Sequence, residues 1–220
     1  MNEIARNRIL AGTSHVLEDP HIEFLLERMY YDAQVRADIA KQQWDPHDPY
    51  SPEFFGDFGY SLRPAQGEFI YIMARAMNAR LAVCVPVSAG AAVLYLGAAL
   101  RDNCGGRVVG VEPRDEYRRL AHEAVAEAGL IDFVQIHGGD PATELAGVPG
   151  LVDVDIALID GWPDLSAPSR ARSVLDVLAP RIRTHGVLVN DNREPDYVAR
   201  LIELGYDTVP TDLGLISVRR

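Results

Sequence analysis

The sequence holds only two cysteines, Cys84 in an apolar run and Cys104 in a turn-like DNCGG. That number and spacing exclude a disulfide framework and a zinc ribbon, so both read as reduced thiols. Basic residues are also in short supply. There are 21 Lys and Arg against 32 Asp and Glu, a net charge of −11, with the cations scattered along the chain. A nucleic-acid partner is not expected from such a balance. No stretch approaches the ~18 continuous apolar residues that a membrane span requires, and MNEIARNRIL contains no apolar leader core. The expectation is therefore a cytoplasmic protein with a small-molecule substrate and no membrane partner. A G-x-G-x-x-G fingerprint is missing too, since the turn after the first apolar strand reads PVSAGA, which argues against a nicotinamide enzyme.

What is present is a regular alternation of strand and helix patterns. A chain of 220 residues suits one sizeable core. Residues 1–42 read as helical, with Asp19-Pro20 as a start signal followed by Ile22, Leu25, Leu26 and Met29 at helical spacing. The segment 43–62 is broken by prolines, glycines and aromatics and reads as a loop. Its Trp44, Tyr50, Phe54 and Phe55 suit either a lid over an apolar pocket or an anchor for the extension. A second helix is predicted from Pro64 to about Asn78. Strands are predicted at 81–86, 107–112, 132–136, 154–160 and 186–191, the first four each followed by a helix. Near-continuous apolar strands in that order imply a parallel sheet covered on both faces. After a helix at about 195–204, YDTVPT and GLISVR lie too close for a parallel crossover and must pair antiparallel. The fold class is thus α/β and Rossmann-like, with an N-terminal helical extension and lid-like loop over 1–62 and the main domain over 63–220.

Ligands of open parallel sheets bind beyond the carboxyl ends of the strands. Those ends carry Ser88 and Gly90, Glu112, Gly139-Asp140, Asp160-Gly161-Trp162 and Asp191-Asn192. Glu112 lies about 20 residues past the first turn, where an acid takes the hydroxyls of a ribose, although a helix-start acid gives the same spacing. Asp160, Asp191 and Asn192 would form a hard-oxygen set for Mg²⁺ or another divalent cation if their strands are neighbours. Caps at strand-to-helix turns are the alternative. Asp45, His47 and Asp48 in WDPHDP are either ligands or a base, or members of a solvated loop.

Several stretches in order, GYSLRPAQGEFIYIMARAM, LYLGAALRDNCGGRVVGVEP, AEAGLIDFVQIHGGDP, VDIALIDGW and HGVLVNDN, resemble bacterial class I S-adenosylmethionine-dependent O-methyltransferases of the catechol O-methyltransferase-like type, over about residues 59–192. The resemblance implies a seven-stranded sheet ending in a reversed hairpin strand. It implies Glu112 as the ribose-binding acid, Asp140 beside the adenine, Trp162 near the cofactor, and Asp160, Asp191 and Asn192 as ligands of a catalytic Mg²⁺. Ser88 and Gly90 would belong to the cofactor turn.

Two places depart from that family. Its Glu-x-Gly-x-Ser-x-Gly turn is here Cys84, Val85, Pro86, Val87, Ser88, Ala89 and Gly90, so an acid and a glycine are replaced. Proline fixes φ near −65° and deletes an N–H, which implies weaker, shifted or lost binding of S-adenosylmethionine. The family's lysine base is here Pro163, leaving Asp164 or His47 to take the proton, or the metal at Asp160 to acidify a bound hydroxyl. Methyl transfer to a hydroxylated metabolite is the leading expectation. A repurposed pocket performing cyclisation or isomerisation, or a non-catalytic subunit, are the alternatives. The N-terminal helices can pack on their own domain or on a second copy, and a homodimer is one expectation.

Overall fold

The computed structural model describes residues 16–17, 19–42 (main chain alone from 37), 62–160, 168–191 and 193–220. The first helix, α1 (Pro20–Gln42), begins where the sequence signals it. The Asp19 carboxylate accepts from the backbone N–H groups of His21 and Ile22 at 3.1 and 3.3 Å, which satisfies donors the helix itself cannot. Ile22, Leu25 and Leu26 turn into the core. The helix is clamped to its neighbour through Arg28, whose guanidinium donates to both Glu127 carboxylate oxygens.

Helix α2 (Pro64–Ala76) precedes the alternating part of the chain. There β1 (Leu81–Val85), α3 (Ala91–Asp102), β2 (Arg107–Val111), α4 (Asp115–Glu127), β3 (Val134–His137), α5 (Pro141–Gly147), β4 (Val154–Ile159), α6 (Arg170–Leu178), β5 (Ile182–Asn190) and α7 (Pro195–Glu203) follow in turn, and β6 (Asp207–Thr211) and β7 (Gly214–Val218) close the chain. One seven-stranded sheet results, in the order β3-β2-β1-β4-β5-β7-β6. β1 to β5 run parallel and β7 lies antiparallel between β5 and β6. The expected parallel sheet and antiparallel ending are both found.

Three boundaries differ from the sequence reading by two residues or more. β3 starts at Val134 instead of 132, and α2 stops at Ala76 because Asn78 takes a left-handed turn conformation at φ 49°. β5 starts at Ile182 instead of 186. Its first turn of residues is polar, and it is held by pairing: His185 N–H donates to Arg219 O and Arg219 N–H donates to Gly186 O. The helical reading of 1–42 holds from Pro20; residues 1–15 lie outside the described part.

Two apolar layers sandwich the sheet. Ile22, Ile70, Leu94, Leu96 and Leu100 fill the side of α1 to α4, and Leu145, Leu175, Leu178, Tyr197 and Leu201 fill the side of α5 to α7. Each such fully buried aliphatic side chain contributes about 1.5–3 kcal/mol. At the amino ends of the strands, Asp155 is buried and accepts from Arg80 N–H (2.7 Å), Leu81 N–H (2.9 Å) and Arg183 Nε (2.5 Å). It ties β1, β4 and β5 together where the β4–β5 register shifts.

The two thiols differ sharply. Cys84 is fully buried in β1, and burial, with the charges of Asp160 and Glu112 adding to it, pushes its thiol pKa up. Cys104 is exposed. A thiol reagent is expected to titrate Cys104 alone in the native protein and both after denaturation; two equally fast native thiols would contradict the buried β1.

Candidate functional site: a cofactor cleft at the switch point

β1 and β4 are adjacent in the sheet although five elements, α3 to α5 with β2 and β3, lie between them in the chain, and the strand order reverses there. That crevice is where a parallel sheet binds its ligand. A cleft of about 310 Å³ opens there, with Val85 and Pro86 from the end of β1, Pro113 from the loop after β2, Asp140 and Pro141 at the start of α5, and Ile159 and Asp160 from the end of β4. Arg170 and Glu194 complete the rim.

The turn after β1 is built from backbone hydrogen bonds. The Val85–Pro86 peptide is cis. Val87 N–H donates to Val111 O at 3.1 Å and Gly90 N–H to Val87 O at 3.2 Å. Ser88 sits at φ 54° and Gly90 at φ 110°. Gly90 is required there, because a Cβ would lie 3.1 Å from the Ala121 backbone in addition to the torsional strain. Ser88 N–H donates to Glu112 Oε2 at 2.7 Å, and Arg114 N–H donates to the other oxygen at 3.0 Å. Glu112 is 1% exposed. Burial raises its carboxyl pKa, and the N–H groups of Arg114 and Ser88 and the charges of Arg114 and Arg118 oppose that.

The predicted site residues fall into four groups. Asp140 and Asp160 line the cleft. Ser88, Gly90 and Glu112 form the turn and its brace behind Pro86. Asp140 also caps α5, its Oδ1 accepting from Thr143 N–H (2.9 Å) and Thr143 Oγ1 (2.7 Å), and these bonds hold its carboxyl below the usual carboxylate range. Asp191 directly follows β5, the neighbour of β4. His47, Trp162, Asp164 and Asn192 lie outside the described residues, as do Trp44, Asp45, Asp48, Tyr50, Phe54, Phe55 and Pro163.

Sequence reasoning missed Gln66 and Arg63. Gln66 is 3% exposed, and its Nε2 donates to Asp191 Oδ1 at 2.9 Å and to Leu213 O at 3.2 Å. The same Asp191 oxygen lies 3.5 Å from the Arg63 guanidinium. RPAQG carries no chemical motif, so only the packing of α2 against the β6–β7 turn reveals the contact. Among the described residues no group of three or more His, Cys, Asp and Glu side chains is arranged to hold a metal. Of the donor set that the resemblance implies, Asn192 lies outside the described residues, and one oxygen of Asp191 is already engaged by an amide donor and faced by a cation, which opposes a divalent cation on that oxygen.

The nucleoside part of S-adenosylmethionine does fit. Apolar walls from Val85, Pro86, Pro113, Pro141 and Ile159 with acids at the rim suit a flat base and a polar sugar. A parallel sheet with a reversed C-terminal hairpin and a cleft at its switch point defines a class I methyltransferase fold. Residues 87–193 match the family model described as a methyltransferase domain. That match places a methyltransferase domain over the middle of the chain. Among solved structures it is similar over its whole length to a methyltransferase from Geobacter sulfurreducens (21% identity, 97% of that chain, TM-score 0.66). A Podospora anserina methyltransferase, PaMTH1, solved with SAH, matches at 15% identity over 100% of this chain and 96% of its own, TM-score 0.68. The O-methyltransferase TomG from Streptomyces achromogenes, involved in tomaymycin synthesis and solved with SAM, matches at 18% identity over the full length of both chains, TM-score 0.62. These likenesses establish the fold.

Proposed function

We propose that the protein transfers the methyl group of S-adenosylmethionine to a hydroxyl oxygen of a small metabolite. The observation that carries this reading is the apolar, acid-rimmed cleft at the β1/β4 switch point beside a braced turn. The cofactor supplies an electrophilic methyl on a sulfonium, so the protein's task is to orient an oxygen in line with it and accept a proton.

Pro113 and Pro141 face the base in this reading, with Asp140 at its edge. Glu112 is 1% exposed behind Pro86, and in this reading it braces the turn beside the ribose, each of its oxygens taking one backbone N–H. Cys84, neutral and buried, replaces the acid of the family turn, so the negative charge near the sulfonium comes from Asp160. In this reading Asp160, which lines the cleft, also accepts the hydroxyl proton.

Calorimetric titration with S-adenosylmethionine and its demethylated product tests the reading. Micromolar binding, about −8 kcal/mol, is expected. Absence of binding for both would sink it. Asp160→Asn is expected to keep the product's affinity and lower kcat by about 10²–10⁴; an unchanged kcat would remove Asp160 as proton acceptor.

A further inference from the structure

The corner at the end of β5 is crowded by one cation of the chain itself. Asp191 Oδ1 accepts from Gln66 Nε2 and faces Arg63 Nη2. Gln66 cannot turn its amide to present oxygen to a metal. Its Oε1 already accepts from Arg63 N–H (3.0 Å) and Arg63 Nε (3.1 Å), while Nε2 is shared between Asp191 and Leu213 O. The amide is buried and satisfied at both ends, and reversing it would break all four bonds and set donor against donor.

Arg63 is itself fixed. Its Nη2 donates to Asp212 O at 2.8 Å, and its Nε to Gln66. A guanidinium stays charged at any physiological pH. A dication placed on Asp191 would sit beside this charge, and the like-charge repulsion opposes it. Among the described residues Arg63 Nη1 makes no hydrogen bond, and the side chain remains half exposed, so donors are left over for an oxygen atom arriving at the corner.

Resting on the methyl-transfer reading, we propose that Arg63 takes the place at Asp191 that the family resemblance gives to a divalent metal. It neutralises Asp191 and offers N–H donors to the acceptor's oxygen, so the acceptor need not present two adjacent oxygens for chelation. An acidic hydroxyl, that of a phenol or a hydroxy acid, whose oxygen gains negative charge as its proton leaves, suits a guanidinium better than a neutral diol does.

Binding of Mn²⁺ followed by its EPR signal tests this without reference to turnover. The wild-type protein is expected to take up no stoichiometric Mn²⁺. Arg63→Ala, and more fully Arg63→Ala with Gln66→Ala, are expected to gain one site of at least about tenfold higher affinity. Arg63→Lys, which keeps the charge, is expected to remain closed. Arg63 is largely solvent-facing, so its single variants should fold, and circular dichroism verifies this for the double variant.

Stoichiometric Mn²⁺ binding by the wild type, lost in Asp191→Asn, would overturn the proposal. So would folded Arg63→Ala variants that gain no site. Calorimetry with the demethylated product in the presence of EDTA separates the two ideas: undiminished affinity is expected, and no affinity with or without metal would sink the methyl-transfer reading while the Mn²⁺ result stands by itself.

Discussion

Gly110→Ala is expected to cost about 1–3 kcal/mol of stability and to weaken binding of S-adenosylmethionine by about tenfold, ~1.4 kcal/mol. Gly110 lies in β2 beneath the cofactor turn. A Cβ there would stand 2.4 Å from Val87 Cγ2, with Val93 Cγ1 and Gln135 O at 3.6 and 3.7 Å. Val87 has no room to yield. It is 2% exposed and β-branched, and its backbone N–H and C=O are both engaged within the turn. The next residue, Ser88, is held by Glu112. Displacement of Val87 therefore passes into the turn that borders the cleft. A melting temperature lowered by several degrees with unchanged cofactor affinity would show that the turn does not support the cofactor.

Asp155→Ala is expected to have the larger effect on stability, about 3–5 kcal/mol, which for a chain of this size lowers the melting temperature by roughly 10 °C. The substitution leaves the N–H groups of Arg80 and Leu81 and the Arg183 guanidinium without their shared acceptor in a buried place. Asp155 sits at the amino ends of the strands, opposite the cleft. Cofactor affinity measured well below the transition should stay as in the wild type. Asp155→Asn keeps an acceptor oxygen and should recover part of the loss. A melting temperature equal to that of the wild type would show that this junction contributes nothing to the sheet.

Different parts of this architecture are written in the sequence with different clarity. β1, β2 and β4 are legible because both their faces are buried, so they read as continuous apolar runs, LAVCV, RVVGV and VDIALI. The hairpin is legible from the shortness of its loop. The start of β5 is not, since Arg183, Thr184 and His185 are polar and their strand geometry comes from partners at the far end of the chain. The cleft could be placed because strand ends in a parallel sheet are predictable, which drew attention to Asp140 and Asp160. Glu112 was found by spacing, yet its second role as brace of the turn depends on the hydrogen-bond geometry of Ser88. Arg63 and Gln66 escaped notice because an arginine at the cap of a helix and a glutamine in its first turn carry no chemical signature. Their meaning comes from Asp191 and the hairpin turn, more than a hundred residues away.

β7 sits between β5 and β6 although it is the last strand of the chain. During synthesis β5 must therefore wait with one edge bare until residues 214–218 have emerged, and only then does the hairpin turn bring Asp212 and Leu213 to Arg63 and Gln66. The first four strands have their partners long before that. The strands that border the cleft are thus all synthesised before the hairpin that completes the corner at Asp191. Order of synthesis sets the cleft ahead of the corner.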